Sequence, residues 1–287
     1  DVARTPEERR MKRSAGRLLA LAVLGAALYG CGTGGNPLRQ VTGAVSKTLA
    51  VPWARYELTL ERPRLFPAPI AVQGGRAAYD FRTGLGYEFL QLQLRAGAHQ
   101  TLFFDLQPAT LLLAPSPAPA GALPAGKVWI SAPLAGSSAD RLLAAQAEGL
   151  APILPLREIA WGARSASSVG ARVVEGVPLH EYRVSVDLAR ALSAARRARS
   201  PGIATAIEQE LGASPSGRLP ILVWVSGPGY IGKIQSQVPG SGLGTASIWF
   251  LSYTRPYTGT APPSSQVVPL ASLAHGGRSL WRVATGS

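Results

Sequence analysis

The chain has 287 residues and a formal net charge of +13, and 46% of its residues are hydrophobic. This apolar content is typical of a folded domain and excludes an intrinsically disordered chain. A single cysteine excludes a disulfide framework and a cysteine-based zinc site. The length suits one sizeable domain or two small ones.

The N-terminal region is organised like a bacterial signal peptide. Three basic residues after Met11 are followed at once by an uncharged, largely apolar run over residues 18–30. A bilayer-spanning helix needs roughly 20 apolar residues, whereas a shorter run after a positive flank is typical of an exported precursor. Met11 is the only methionine. We therefore interpret it as the initiator, and residues 1–30 as upstream residues plus signal peptide.

The apolar run ends in Leu28-Tyr29-Gly30-Cys31. This resembles the bacterial lipobox, in which an aliphatic residue and a small residue precede a cysteine. The resemblance implies that Leu28, Tyr29 and Gly30 are recognised by the signal peptidase. It also implies that Cys31 carries a diacylglycerol, which holds the mature chain on the outer face of the cell membrane. A core helix with a chance cysteine is the alternative, but it leaves the basic residues before the run unexplained.

The basic character of the chain has two interpretations. An exported basic domain favours anionic lipid head groups or polyanionic wall polymers as partners. Alternatively, the abundance of Arg, Ala, Gly and Pro reflects a GC-rich genome. Nucleic acid is not expected as a partner of an exported protein. Four arginines gather on one predicted helix, where they either face anionic head groups or form a solvated surface: Arg190, Arg196, Arg197 and Arg199.

The first half of the domain predicts a helix followed by a meander. After a Gly-rich tether at 31–36, Asn36 is placed to cap a helix that begins at Pro37. Its apolar face consists of Leu38, Val41, Val45 and Leu49. Short runs of period two between residues 56 and 131 predict antiparallel strands: YELTLE, GGRAAYDFR, GYEFLQLQL, QTLFFDL and KVWIS. The Pro-rich stretch 114–126 predicts a loop.

The second half alternates helices and strands. Residues 137–154 predict a helix, and GARVVEG and LHEYRVSVDL predict two strands joined by a turn at 176–178. A helix begins at Asp187, is divided by Pro201 and closes at Gly212. Three strands follow, LPILVWV, YIGKIQSQV and ASIWFLSYT, and the stretch 260–273 is extended. Residues 37–287 therefore predict one α+β domain with a single long, curved antiparallel sheet and helices on one face.

No catalytic or metal-binding set is recognisable in the sequence. His99, His180 and His275 are far apart, and no nucleophile elbow, zincin motif or P-loop is present. His180 lies on the apolar-looking side of its strand and is interpreted as structural. We expect no enzymatic activity, no metal and no cofactor beyond the covalent acyl anchor. Three acidic residues near predicted helices are interpreted as solvated: Asp140, Glu148 and Glu158.

The stretch Val173–Ala191 reads VVEGVPLHEYRVSVDLARA and resembles a signature of actinobacterial lipoproteins of the LppX/LprG type. Three further stretches are similar in the same order, namely LPAGKVWIS, LPILVWVSGPGYIGKI and APPSSQVV. His180 lies one position earlier than the histidine of the family, and Ser226 stands where an acidic residue is usual. The resemblance implies a half-barrel of antiparallel strands with helices over its concave side, similar to LolA, LolB and RseB-type proteins.

The resemblance also implies a monomer with an apolar cavity between sheet and helices. That cavity would bind lipids or lipoglycans and help to transport them away from the membrane. We expect it to be lined by Phe89, Leu90, Leu92, Tyr182, Val184 and Val186. The rival interpretation is an RseB-like sensory or scaffold domain that binds a protein partner in the envelope and carries no lipid. An enzyme acting on envelope glycans is a third alternative, which lacks the expected pair of carboxylates.

Overall fold

The computed structural model describes residues 35–61, 71–93, 99–107, 110–116, 123–133, 152–237, 245–253 and 262–273. For residues 88–93 and 99–107 it describes the backbone and the strand pairing. The described α-helices are α1 (Pro37–Leu49), α2 (Ile153–Gly162), α3 (Leu188–Arg197) and α4 (Pro201–Ala213). The strands are β1 (Trp53–Glu61), β2 (Ala71–Asp80), β3 (Gly86–Gln93), β4 (His99–Gln107), β5 (Thr110–Ser116), β6 (Trp129–Pro133), β7 (Ala163–Val174), β8 (Val177–Asp187), β9 (Arg218–Ser226), β10 (Ile231–Gln237), β11 (Thr245–Ser252) and β12 (Val267–Pro269).

All twelve strands belong to one open sheet, in the order β12-β6-β5-β4-β3-β2-β1-β11-β10-β9-β8-β7. Two meanders, β1 to β6 and β7 to β11, are joined where β1 pairs with β11. Every pairing is antiparallel except that of β12 with β6, in which Val268 lies opposite Ile130. This parallel edge strand was not predicted: the segment that follows β11 runs to the far edge of the sheet and pairs there with β6.

Two of the described helices begin at a residue whose side chain accepts hydrogen bonds from their first N–H groups, and a third begins at a proline. The Asn36 side chain accepts hydrogen bonds from the backbone N–H groups of Leu38 at 2.9 Å and Arg39 at 3.4 Å, which caps α1. Asp187 caps α3 by accepting from the N–H of Arg190 at 2.9 Å. Pro201 occupies the first turn of α4, where a missing N–H costs nothing. These starts confirm the predicted caps and the predicted division at residue 201.

The helices form a layer against one half of the sheet. Helix α1 contacts β7 to β10, α2 contacts β7 and β8, and α3 packs on β8. Helix α2 also contacts the other three helices, and α3 packs against α4. The predicted α+β class, with one curved sheet and helices packed on one face, is confirmed.

One row of paired residues crosses most of the sheet. Starting from Tyr182 on β8, successive pairings lead through β9, β10, β11, β1, β2 and β3 to β4. Directly paired residues of neighbouring strands share one face of a sheet. The members of this row, called the central row below, are Tyr182, Val223, Ile234, Ile248, Leu58, Gly75, Leu90 and Leu102.

Strand β5 was not predicted, and its C-terminal end falls in the stretch assigned to the Pro-rich loop. Residues 114–116 pair with β4, so this part of the loop prediction is wrong. The sequence Thr110–Ser116 lacks polar alternation and contains Pro115, so it does not show the period of two. Leu112 and Ala114 are buried on one side of the strand, and Ile130 is buried on its partner β6.

The hairpin between β7 and β8 turns one residue earlier than predicted. Glu175 and Gly176 have φ values of 49° and 79°, the two left-handed residues of a type I′ turn, and Val177 already belongs to β8. Strand β7 also begins seven positions before the predicted GARVVEG, because its first part, ARSASSV, is small and polar and shows no alternation. Gly212 does not close α4, which continues to Ala213.

The remaining predictions concern either elements that the structure confirms or stretches that lie outside the described residues. Strands β9, β10 and β11 and the turn at 226–229 are confirmed. The stretch 260–273, predicted to be extended, contains β12 between two short 3-10 turns where it is described. The signal peptide, Cys31 and most of the helix predicted at 137–154 lie outside the described residues.

Candidate functional site

The space between the helices and the sheet is closely packed where it is described. Tyr182, Val184 and Val186 of β8 are 5%, 0% and 0% exposed. From the helical side, Val41 and Val45 of α1 are fully buried in the same cluster. Three residues of the predicted cavity lining are therefore placed in the core beneath the helices. Their role as ligand contacts stays a prediction, as it does for Phe89, Leu90 and Leu92, whose side chains lie outside the described part.

Two polar contacts are made at the Tyr182 end of this core. The Tyr182 hydroxyl donates to Oε1 of Gln40 on α1 at 2.7 Å. Burial raises the pKa of the Tyr182 phenol, which keeps it a donor. Next to it, Nε2 of His180 lies 2.7 Å from Oγ of Ser168, and the imidazole ring packs 4.7 Å from the Tyr182 ring.

The Ser168–His180 contact brings together a hydroxyl and an imidazole, the two groups that nucleophilic catalysis combines. Among the described residues, Ser168 is the hydrogen-bond partner of His180, and no carboxylate orients the other ring nitrogen. The pair joins β7 to β8 beside the Tyr182 ring, in keeping with the predicted structural role of His180.

A pair of carboxyl groups is buried between α2 and α4. Glu158 is 2% exposed, and its side chain is hydrogen-bonded to that of Glu210. Burial raises the pKa of Glu158 well above its usual value, and the neighbouring charge and hydrogen bond of Glu210 raise it further. Burial also raises the pKa of Glu210, while the bond from Glu158 opposes that rise. The directions of these shifts favour the protonated form of Glu158 as the donor to Glu210.

This pair corrects the prediction that Glu158 is solvated. Helix α2 was not predicted at its observed position, because Pro155 follows its start and its burial extends around the helix rather than along one stripe. Buried residues on α2 include Leu154, Leu156 and Ile159 as well as Glu158. The place of Glu158 in the sequence could not show that the carboxyl group of Glu210, which is distant in sequence, faces it.

A basic groove opens where the first turns of α1 and α3 meet the end of α2 and the start of β7. It has a volume of about 440 Å³. Three arginines, Arg39, Arg164 and Arg190, line it together with Asn36, Leu38, Thr42, Ala160 and Ala163. These eight residues are called the basic groove below. Arg164 is engaged by Asp187, whose Oδ2 accepts from Nη2 at 2.9 Å.

The structure divides the arginine cluster that the sequence placed on one helix. Arg190 lines the basic groove. Arg196 turns to the other side and forms an ion pair with Glu208 of α4. Arg197 lies seven positions after Arg190, about two helical turns, and is exposed, as is Arg199 after the helix. Sequence reasoning missed Arg39 and Arg164, because they reach the groove from α1 and β7.

No metal site or membrane span is found in the described parts of the chain. Across the described ranges, no three or more His, Cys, Asp or Glu side chains are grouped to hold a metal ion. The helices with described residues are all too short or too polar to cross a bilayer.

No protein-family model and no curated protein matches the sequence. The structure is similar to the crystal structure of the lipoprotein LppX of Mycobacterium tuberculosis, with a TM-score of 0.46 and 10% identity over 77% of this chain and 96% of that one. It is also similar to the crystal structure of LprF from Mycobacterium bovis, with a TM-score of 0.45 and 14% identity over 78% of this chain and 97% of that one.

Proposed function

We propose that the chain is an exported lipoprotein that is anchored to the outer face of the cell membrane through Cys31. Its domain binds the acyl chains of lipids or lipoglycans between sheet and helices and carries them away from the membrane. The anchor is a diacylglycerol on Cys31, and two acyl chains hold a protein stably on a bilayer where one does not. No other cofactor is part of this proposal.

The observation that supports lipid binding is the extent of the central row. Its described side chains on β8 to β11 and β1 are apolar and buried, and the main contacts of the described helices are with β7 to β10. The row then continues through Gly75 to the positions of Leu90 and Leu102. An apolar strip that runs beyond this helical layer suits an apolar ligand.

Burial of acyl chains on this strip would supply the binding energy. Removal of apolar surface from water contributes about 25 cal/mol for each Å². Gly75 on β2, the partner of Leu58 on β1, has no side chain, so the central row covers the sheet least at this position.

A second candidate function, the binding of a protein partner, is favoured by the edge strand β7. Val173 is 68% exposed, and Val169 and Val177 are 41% and 42% exposed. Val169 and Val173 lie on β7 and Val177 begins β8; among the described strands, β7 is the last of the sheet and has no neighbour on its outer side. An exposed edge with apolar side chains can pair with a strand of another protein.

Native mass spectrometry of the Cys31→Ser chain purified from an actinobacterial host would separate the two functions. We expect a discrete added mass that resolves to a diacyl or triacyl lipid and is absent from an unrelated domain purified alongside. A clean mass that stays clean after incubation with lipid would refute lipid carriage and favour the partner-binding function.

Two matched variants on β3 would locate the lipid. Leu90 belongs to the central row, whereas Phe89 belongs to the neighbouring row opposite Arg76 and Phe103. If lipid lies along the central row, Leu90→Trp should reduce the bound lipid several-fold and Phe89→Trp should leave it unchanged. Equal effects of the two variants would remove the central row as the binding surface.

The anchor is tested separately by metabolic labelling with a fatty-acid analogue. The wild-type chain should incorporate the label and sediment with membranes, and Cys31→Ser should do neither. Because Cys31 is the only cysteine, no other thiol can carry the label. Label that persists in Cys31→Ser would contradict this assignment.

A further inference from the structure

We propose that the basic groove is a docking surface for the anionic phospholipid head groups of the membrane to which the chain is tethered. The proposal rests on the proposed function in one respect, the anchor at Cys31. The partner is a membrane surface, recognised through its phosphates by the guanidinium groups of Arg39 and Arg190.

The charges around the groove are unbalanced. Arg164 is paired with Asp187, whereas Arg39 and Arg190 form no ion pair with any described residue. No carboxylate is among the eight lining residues. Asp187 is not among them, and it also accepts from the N–H of Arg190. Two guanidinium groups are therefore available to phosphate oxygens, which they bind through paired N–H donors.

The groove does not depend on the start of α1 as an anion site. The N–H groups of Leu38 and Arg39 are already bonded to the Asn36 side chain. The attraction therefore comes from side-chain charge. Arg197 is exposed on α3 about two helical turns after Arg190. Arg196 is instead paired with Glu208 of α4.

The tether places this groove at the membrane. Asn36, one of the lining residues, follows Cys31 by five positions. A fully extended chain spans at most about 3.6 Å per residue, so Asn36 lies within about 18 Å of an anchored Cys31. Among the described residues, Gly35 and Asn36 are thus the ones whose distance from an anchored Cys31 is most tightly limited. A surface potential acts over about a Debye length, roughly 8–10 Å at physiological salt, so proximity decides which arginines respond to it.

Vesicle co-sedimentation tests the proposal on the full Cys31→Ser chain. The vesicles are phosphatidylcholine alone or phosphatidylcholine mixed with phosphatidylglycerol. The test variant is Arg39→Ala with Arg190→Ala. The control is Arg76→Ala with Arg82→Ala, which removes the same charge from exposed positions on and after β2. Five strands lie between β2 and β7, which separates the two sites by roughly 30 Å.

We expect the groove variant to bind the phosphatidylglycerol vesicles about tenfold more weakly than the Cys31→Ser chain and the control variant to stay within about twofold. Binding should weaken as salt rises. Residues 1–30 are common to all variants, so the membrane affinity of their apolar run is the same in each, and binding to phosphatidylcholine alone measures that shared background. Thermal unfolding of each variant checks that the fold is retained.

Three outcomes would overturn the proposal. Equal losses in the two double variants would mean that net charge acts without a defined surface. Equal binding to the neutral and the anionic vesicles would mean that head-group charge is not recognised. Displacement by inorganic phosphate at matched ionic strength would mean that the groove is a site for a free anion. Native mass spectrometry of the parent Cys31→Ser chain keeps this test separate from the proposed function. A parent chain that carries no lipid but binds phosphatidylglycerol vesicles through the groove would refute only carriage, whereas a lipid-loaded chain whose groove variant keeps full vesicle binding would refute only the docking surface.

Discussion

The Tyr182 hydroxyl donates a hydrogen bond to Oε1 of Gln40 at 2.7 Å, across 142 positions of sequence. This bond ties the most regular strand of the sheet, β8, to the first helix, α1. The bond is part-buried, and the next residues on the same side of β8, Val184 and Val186, are fully buried in the core. A part-buried polar contact of this kind fixes the position of α1 over the strands without exposing the core.

Tyr182→Phe is expected to lower the free energy of unfolding by about 1 kcal/mol, because it removes the hydrogen bond and keeps the ring. In a protein of this size the midpoint of thermal unfolding should fall by about 2–4 °C. A double-mutant cycle with Gln40→Ala isolates the pair, and a coupling energy of zero would show that the two groups do not interact in solution.

Two glycines on helices should respond to alanine in opposite directions. A Cβ at Gly162, the last residue of α2, would lie 2.7 Å from the Asp187 carbonyl oxygen and 2.8 Å from Cγ1 of Val186. Gly162→Ala should therefore destabilise the protein by about 1–3 kcal/mol in urea unfolding.

Gly43→Ala on α1 is the matched control, because a Cβ there meets nothing within 4 Å. It should stabilise the protein by about 0.5–1 kcal/mol through helix propensity. Stabilisation by both substitutions would contradict the close approach of α2 to the end of β8.

The carboxyl pair predicts a specific pH dependence. The pKa of Glu158 is raised in the folded state, so folding binds a proton that the unfolded chain releases above its ordinary pKa of 4.5. The stability that this proton provides is complete below that value and is lost as pH rises through the folded pKa.

Glu158→Gln keeps a hydrogen-bond donor for Glu210 without needing a proton. We expect the variant to match the wild type near pH 4 and to unfold a few degrees higher near pH 8. Thermal unfolding measured across this range gives the difference, with Glu208→Gln, an exposed residue paired with Arg196, as the control. A constant difference at all pH values would show that Glu158 is ionised in the folded protein.

Asp187 separates the contribution of a helix cap from that of an ion pair. The hydrogen bond from the Arg190 N–H, followed by that from Arg164, lowers the pKa of Asp187. This stabilisation is present above its ordinary value of 3.8 and is lost as pH falls through the lower folded value.

At neutral pH, Asp187→Ala should cost about 1 kcal/mol, whereas Asp187→Asn should cost much less, because asparagine caps helices as well as aspartate does. The exposed pair with Arg164 contributes little by itself. Urea unfolding of the two variants measures the difference, and equal losses would assign the stabilisation to the ion pair instead of the cap.

The sequence predicted most local structure because the relevant interactions are local. The cap at Asn36 and the apolar spacing on α1 act within one or two helical turns, and the alternation over 179–188 places Tyr182, Val184 and Val186 on one buried side of a single strand. Strand β5 and the first part of β7 were not predicted, because the interactions that place them are not local. Their residues are placed by neighbouring strands, and the sequence there shows neither polar alternation nor a turn signal.

The candidate site was predictable only in part. Tyr182, Val184 and Val186 were placed on a buried face by their period of two, and the structure places them in the core. Sequence spacing did not indicate that Glu158 is buried, because its environment depends on Glu210 of another helix. The arginine cluster was visible, but its division between Arg190 in the groove and Arg196 at Glu208 depends on how α3 sits against its neighbours.

The sequence by itself determined the class of fold, the helix caps and the lipobox-like end of the N-terminal apolar run, since each is written in neighbouring residues. Only the tertiary structure decided which distant groups meet. It brought Gln40 to Tyr182, Glu158 to Glu210, and the arginines of α1, β7 and α3 to one groove. The physical reason is that burial and charge act through space, so the environment of a side chain depends on elements that lie far away along the chain.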